Sequence, residues 1–76
     1  MKTEELIKTI IKETTHWTLY DWKDFRSNYN YWDINDDYVR KLNSLKTNSY
    51  EYRMVMNEYK TWKLRCIIKY KKDNNK

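Results

Sequence analysis

Neither glycine nor proline occurs anywhere in this chain. That absence limits the accessible folds more than any motif does. Tight hairpin turns favour glycine, and most loop punctuation depends on one of the two residues. Helix interiors exclude both, so their absence tilts the chain toward helices. Left-handed backbone positions must then fall to Asn or Asp. Glycine-rich phosphate loops and dinucleotide-binding turns cannot be built at all.

The C-terminal stretch from Ser49 to Lys72 is the element on which the other segments should pack. Tyr52, Val55, Met56, Tyr59, Trp62, Cys66, Ile67 and Tyr70 recur at spacings of three and four, which places them in one helical stripe. Asn48 followed by Glu51 is close to a capping box. Arg53, Asn57, Lys60, Thr61 and Arg65 would form the opposite face, with Lys63 near the apolar stripe. A second pattern overlaps the first. Tyr50, Tyr52, Met54 and Met56 alternate, as do Trp62, Leu64, Cys66, Ile68 and Tyr70, which suits two strands joined near Asn57 to Lys60. The expected fold is therefore mainly α, a compact small bundle of about four helices. The alternative is α+β, with two or three helices packed on a C-terminal β-hairpin.

Upstream, residues 3–13 predict a helix with Leu6, Ile7, Ile10 and Ile11 on one face, capped by Thr3 and ended by Thr14 and Thr15. Residues 16–32 are an aromatic belt. Trp22, Phe25, Tyr29 and Trp32 share a helical face there, with Thr18 as cap and Asp21 in the first turn. Trp17, Tyr20 and Tyr31 lie off that stripe and are candidate anchors for a partner. A third helix, capped by Asn35 or Asp36, should carry Tyr38, Leu42 and Leu45. Residues 73–76 read as a frayed tail on a single small domain, 1–76.

Four Trp, eight Tyr and one Phe are a large aromatic complement for 76 residues. One cysteine, Cys66, excludes an internal disulfide framework and a Cys-rich zinc site. The opening MKTEELIKTIIKE places acids inside its apolar run, unlike a secretory leader. No uninterrupted apolar run exceeds three residues, so no transmembrane helix is expected and the cytoplasm is the expected location. The net charge of +5 divides unevenly, −3 over residues 1–37 and +8 over residues 38–76. Such a chain has one half suited to basic partners and one to acidic ones, unless the halves neutralise each other in the fold.

Catalytic and metal chemistry finds little support. Asp33, Asn35 and Asp37 match the start of a calcium loop, but Tyr38 stands where the loop needs glycine and Ser44 where it needs glutamate. His16 is the only histidine, so transition-metal ligation is not expected. Cys66 falls on the apolar stripe in either reading and is better explained as a small buried hydrophobe than as a nucleophile. No enzyme activity and no cofactor are expected. Arg53, Lys60, Lys63, Arg65, Lys69, Lys71 and Lys72, interleaved with Tyr59, Trp62 and Tyr70, could attract phosphates and stack bases. A hairpin would gather these cations on one side, whereas a helix spreads them around its circumference.

A Lys- and Asn-rich chain without Gly or Pro resembles, in style, the small proteins of phages and mobile elements, anti-CRISPR proteins among them. The resemblance is compositional and covers no specific residues. It implies stoichiometric binding to a host protein, often a defence enzyme that handles nucleic acid. The leading expectation is thus a non-enzymatic inhibitor or adaptor. Trp17, Tyr20, Tyr31, Asp33, Asp36 and Asp37 would meet a basic groove on the partner, and the cationic half would meet an acidic patch or bound nucleic acid. The alternative is a small basic DNA- or RNA-binding regulator that uses the C-terminal basic-aromatic stretch. A homodimer, joined through the C-terminal element, is the third option.

Overall fold

A computed structural model describes residues 2–74. Among these residues there are four helices and no strand: α1 (Thr3–Glu13), α2 (Leu19–Arg26), α3 (Tyr31–Asn43) and α4 (Tyr50–Asn74). The chain is a small helical bundle, and the C-terminal stretch is one helix rather than a hairpin. A helix of 25 residues is about 37 Å long. The longest dimension of the molecule is 38 Å, so α4 runs its full length. It continues through Asp73 and Asn74, the first two positions of the expected tail, while residues 75–76 lie outside the described residues.

The other helices are arranged on this spine. Asn57 of α4 donates to the Thr3 hydroxyl at the start of α1, and Lys71 of α4 pairs with Glu13 at the end of α1. The two helices therefore run parallel. Tyr31 stacks on Trp62 and Tyr38 on Tyr59, so α3 runs antiparallel to α4. Because α1 and α3 contact different sides of α4, its buried positions are spread widely. Leu64 is buried beside Tyr59, Ile67 and Tyr70, although it falls outside the expected stripe. Much of the apolar surface of α4 is occupied within the chain, while Tyr50, Met54 and Ile68 remain exposed.

The short α2 closes the C-terminal end of α4. Its start is the expected one. Thr18 accepts from the Asp21 amide, and the Asp21 carboxylate accepts from the Thr18 amide at 2.9 Å, a reciprocal capping box. This delivers Phe25, fully enclosed, to a core made with Tyr31, Ile67 and Tyr70.

Several local expectations are corrected. The aromatic stripe from Trp22 to Trp32 is not one helix. Ser27 Oγ and Asn28 Nδ2 both donate to the Asp24 carbonyl at 2.7 Å, competing with continued helix. The chain then turns through Tyr29 (φ 61°) and Asn30 (φ 54°). Asn30 meets the expectation that Asn serves left-handed positions, whereas a tyrosine beside it does not. α3 consequently starts at Tyr31 with Asn30 at its cap position, not at Asn35 or Asp36. Lys2, not Thr3, occupies the cap of α1, because the Thr3 hydroxyl bonds to Asn57 instead. Ser49, not Asn48, caps α4, its hydroxyl accepting from the Tyr52 amide at 3.1 Å. Thr14 and Thr15 do end α1, each bonding back to a carbonyl four residues earlier. Of the expected α1 face, Leu6 is buried and Ile10 half-buried, but Ile7 and Ile11 are exposed.

Candidate partner-binding surface

The aromatic belt is largely consumed in the interior. Trp17 meets Trp22, Phe25 and Tyr70. Phe25 meets Tyr29 and Tyr31, and Tyr31 meets Trp32 and Trp62. Trp62 continues to Tyr38 and Tyr59. The rings thus form one connected network across the bundle, with both edge-on and stacked geometries that add to simple area burial. Two of the expected anchors belong to it. Tyr31 is buried, and Trp17 is half-buried with its indole Nε1 enclosed and without a hydrogen-bond partner. The Trp22 ring stands 4.7 Å away, edge to face, and is the nearest ring in contact with Trp17. Neither Trp17 nor Tyr31 is free to anchor a partner. The burial of Tyr31 is hidden from a helical wheel that runs unbroken through Asn30, and Trp17, ahead of the Thr18 cap, lies outside any wheel of α2.

Two buried hydroxyls of this network, those of Tyr59 and Tyr70, are satisfied within the chain. Tyr70 donates to Asp24 at 2.7 Å, and burial together with that carboxylate holds its phenol proton far above the usual tyrosine range. Tyr59 donates to Asn35 Oδ1, and burial raises its phenol pKa. Burial also pushes up Tyr31, Tyr38 and the Cys66 thiol. Cys66 packs against the core and keeps its proton, which suits a small apolar filler.

The seven cations expected to form a basic surface are divided by the helix. Lys71 pairs with Glu13 at 2.6 Å, and the ammonium holds that carboxyl below its ordinary value. Lys60 is half-buried against the Tyr59 ring. Lys63 is half-buried over the rings of Tyr59 and Tyr31, and loss of hydration lowers its pKa to about 8. Arg53 is exposed near the opposite end of α4. Only Arg65, Lys69 and Lys72 stand exposed together, at i, i+4 and i+7. The rings expected to interleave with them are unavailable for stacking, since Tyr59 and Tyr70 are buried and Trp62 lies under Tyr31.

The acidic cluster has the opposite fate. Asp33, Asp36 and Asp37 all lie exposed within α3, Asp33 in its first turn and Asp36 and Asp37 further along. Their i, i+3 and i+4 spacing sets them on the side turned away from α4, while Asn35 turns inward to Tyr59. Asp37 pairs with Arg40, both well exposed. Trp32 (55% exposed) and Val39 stand on the flank of the same face, at i and i+7 around Asp36. Arg26, at the end of α2, lies over both the Trp22 and Trp32 rings, at 5.3 and 5.8 Å from their centroids. Tyr20 is exposed at the start of α2, next to Leu19, the most exposed large apolar residue. Trp32 was assigned by periodicity to the buried stripe. The run of Ser, Asn and Asn before it was the signal that the stripe is broken.

Among the described residues, no group of three or more His, Cys, Asp or Glu side chains could hold a metal ion. No helix is long and apolar enough to cross a membrane. The chain matches no protein-family model, and no curated protein or solved structure matches it.

Proposed function

We propose that this protein is a non-enzymatic, stoichiometric binding protein that docks the outer face of α3 on a basic groove of a host protein. The style of the chain suits a phage or mobile-element inhibitor or adaptor, and the target class we favour is a defence enzyme that handles nucleic acid. One observation carries the reading. Trp32 stands exposed on the same face as Asp33, Asp36 and Asp37, while nearly all other rings of the belt are packed inside. An exposed indole flanking three exposed carboxylates on one helix, with Arg26 over the ring, suits a groove built for nucleic acid, which offers cations and apolar or aromatic platforms. Binding there would exclude nucleic acid by occupancy alone, with no catalytic group required.

The test uses two surface variants. Trp32→Ala combined with Asp36→Lys should abolish partner capture and the cellular phenotype while leaving helicity and Tm unchanged. Arg65→Glu combined with Lys69→Glu should leave capture intact. The reverse pattern would overturn the assignment.

A specific observation favours a second reading, a small DNA- or RNA-binding regulator. Arg65, Lys69 and Lys72 form an exposed cationic stripe on α4. Such a stripe would give sequence-independent, salt-sensitive attraction to phosphates. The ring beside it, Tyr29 under Lys69, is half-buried and packed on Phe25, which is why this reading ranks second. Affinity for labelled RNA and duplex DNA that falls steeply with salt, and is lost in the Arg65→Glu, Lys69→Glu variant, would promote it.

A further inference from the structure

Three cations converge on two tyrosines at the junction of α2 with the middle of α4. Lys63 Nζ lies 4.7 Å from the Tyr59 ring centroid and 5.9 Å from that of Tyr31. Lys60 Nζ lies 5.0 Å from the same Tyr59 ring. Arg26, whose guanidinium lies 5.3 and 5.8 Å from the Trp22 and Trp32 ring centroids, approaches from the end of α2, and its charge acts on the Tyr31 hydroxyl. Tyr38 stacks on Tyr59 from α3, so the lysines approach a ring already covered on that side. Lys60 and Arg26 both act on Lys63 as like charges.

The cations lack a counter-charge. Among the described residues, neither ion pair includes Arg26, Lys60 or Lys63. Lys63 makes one hydrogen bond, to the neutral Tyr59 phenol oxygen at 3.4 Å. That phenol spends its proton on Asn35, which leaves its oxygen free to accept from the ammonium. Asp36 is the one carboxylate whose charge is felt at Tyr59, and it pairs with none of the three. Partly dehydrated cations are ordinarily compensated by an anion. The exposed Arg26 and the half-buried lysines keep the junction reachable from solvent.

We infer that this junction is an anion site for a phosphate group, held by Arg26, Lys60 and Lys63. A doubly charged tetrahedral oxyanion suits three cations better than a single carboxylate does. The guanidinium offers a planar pair of donors and each ammonium a point charge. A free phosphate and a small-molecule phosphate monoester share this chemistry. The site uses none of the carboxylates of the α3 face; it shares with that face the contact of Arg26 with Trp32, and Lys60 and Lys63, on α4, are the positions that test it separately.

The test is a titration of the full chain with inorganic phosphate at neutral pH, with ionic strength held constant by sodium chloride. Amide and side-chain NMR shifts are followed, and the titration is repeated with glycerol phosphate. Saturable shifts confined to Arg26, Tyr31 and the segment Tyr59 to Lys63 are expected. Lys63→Met should abolish saturation, and Lys60→Gln should weaken it about tenfold, as the loss of one charge-assisted contact does. Tighter binding of glycerol phosphate would assign the site to a monoester, and equal or weaker binding to the free ion. Shifts that never saturate, that centre on Arg65 to Lys72, or that persist unchanged in Lys63→Met would overturn the proposal.

Discussion

Replacing Lys63 by methionine should stabilise this protein in phosphate-free buffer. The lysine stem already lies among rings, and methionine matches it closely in shape while removing the charge. In the folded chain its pKa falls from the ordinary 10.5 to about 8, chiefly because burial strips water from the ammonium and secondarily because Lys60 and Arg26 repel it. At about 1.36 kcal/mol per pH unit, that difference corresponds to a ceiling of about 3.4 kcal/mol against the folded state. The side chain retains some solvent contact, and screening reduces the cost. Methionine also forfeits two cation–π contacts of about 0.5–1 kcal/mol each. A net gain of about 1 kcal/mol is expected, or several degrees in Tm for a domain this small. The pH dependence gives the sharper check. The folded chain holds the Lys63 proton more loosely than the unfolded chain does, so the penalty is complete below about pH 8 and is relieved as pH rises from about 8 to 10.5. Cys66 and the buried tyrosines hold their protons more tightly when folded and lose stability at alkaline pH, but both proteins share those groups. The difference in unfolding free energy between Lys63→Met and wild type, measured by urea titration, should therefore be positive near neutrality and shrink through the alkaline window. A pH-independent difference, or a variant less stable at neutral pH, would refute the argument.

Three further substitutions probe the frame that positions the surface. Thr18→Ala removes the hydroxyl half of the capping box and should cost about 1 kcal/mol in urea unfolding, with Asp21→Ala costing at least as much because Asp21 is buried. Tyr70→Phe leaves the Asp24 carboxylate without its phenol donor and should cost about 1.5–3 kcal/mol, while Tyr29→Phe, whose bond to Asp73 is 3.4 Å and exposed, should cost far less. Asn30→Ala places an ordinary Cβ at φ 54° and should cost about 1–2 kcal/mol, whereas Asn30→Gly should be tolerated.

Helical periodicity carries most of the architecture, because each helix here has at least part of a face set by 3.6-residue spacing. The absence of glycine rightly favours the helical reading of Tyr50–Asn74 over the alternating one, which fits the same residues. What periodicity cannot reveal is where two adjacent helices part company when both are rich in rings. Trp22, Phe25, Tyr29 and Trp32 keep helical spacing across the left-handed turn at Tyr29 and Asn30. The wheel therefore exchanged Tyr31 with Trp32, placing the buried ring outside and the exposed one inside. The acidic members of the candidate surface were legible because carboxylates without a buried partner remain at the surface wherever the helix begins. Its aromatic member was not.

The division of charge along the chain has a related lesson. Opposite-signed halves attract, yet among the described residues one ion pair, Glu13 with Lys71, joins distant parts of the chain. The cations turn to rings instead. Lys60 and Lys63 meet Tyr59, Lys69 meets Tyr29, and Arg26 meets Trp22 and Trp32. An aromatic face is a poorer partner for an ammonium than a carboxylate is, but in this chain it is the partner that α4 carries at neighbouring positions. This local choice leaves Asp33 and Asp36 on α3 outside any ion pair. A protein of net charge +5 thereby keeps a locally acidic face on α3, and in the proposed reading attraction to a basic groove would arise from that local surplus rather than from the total charge.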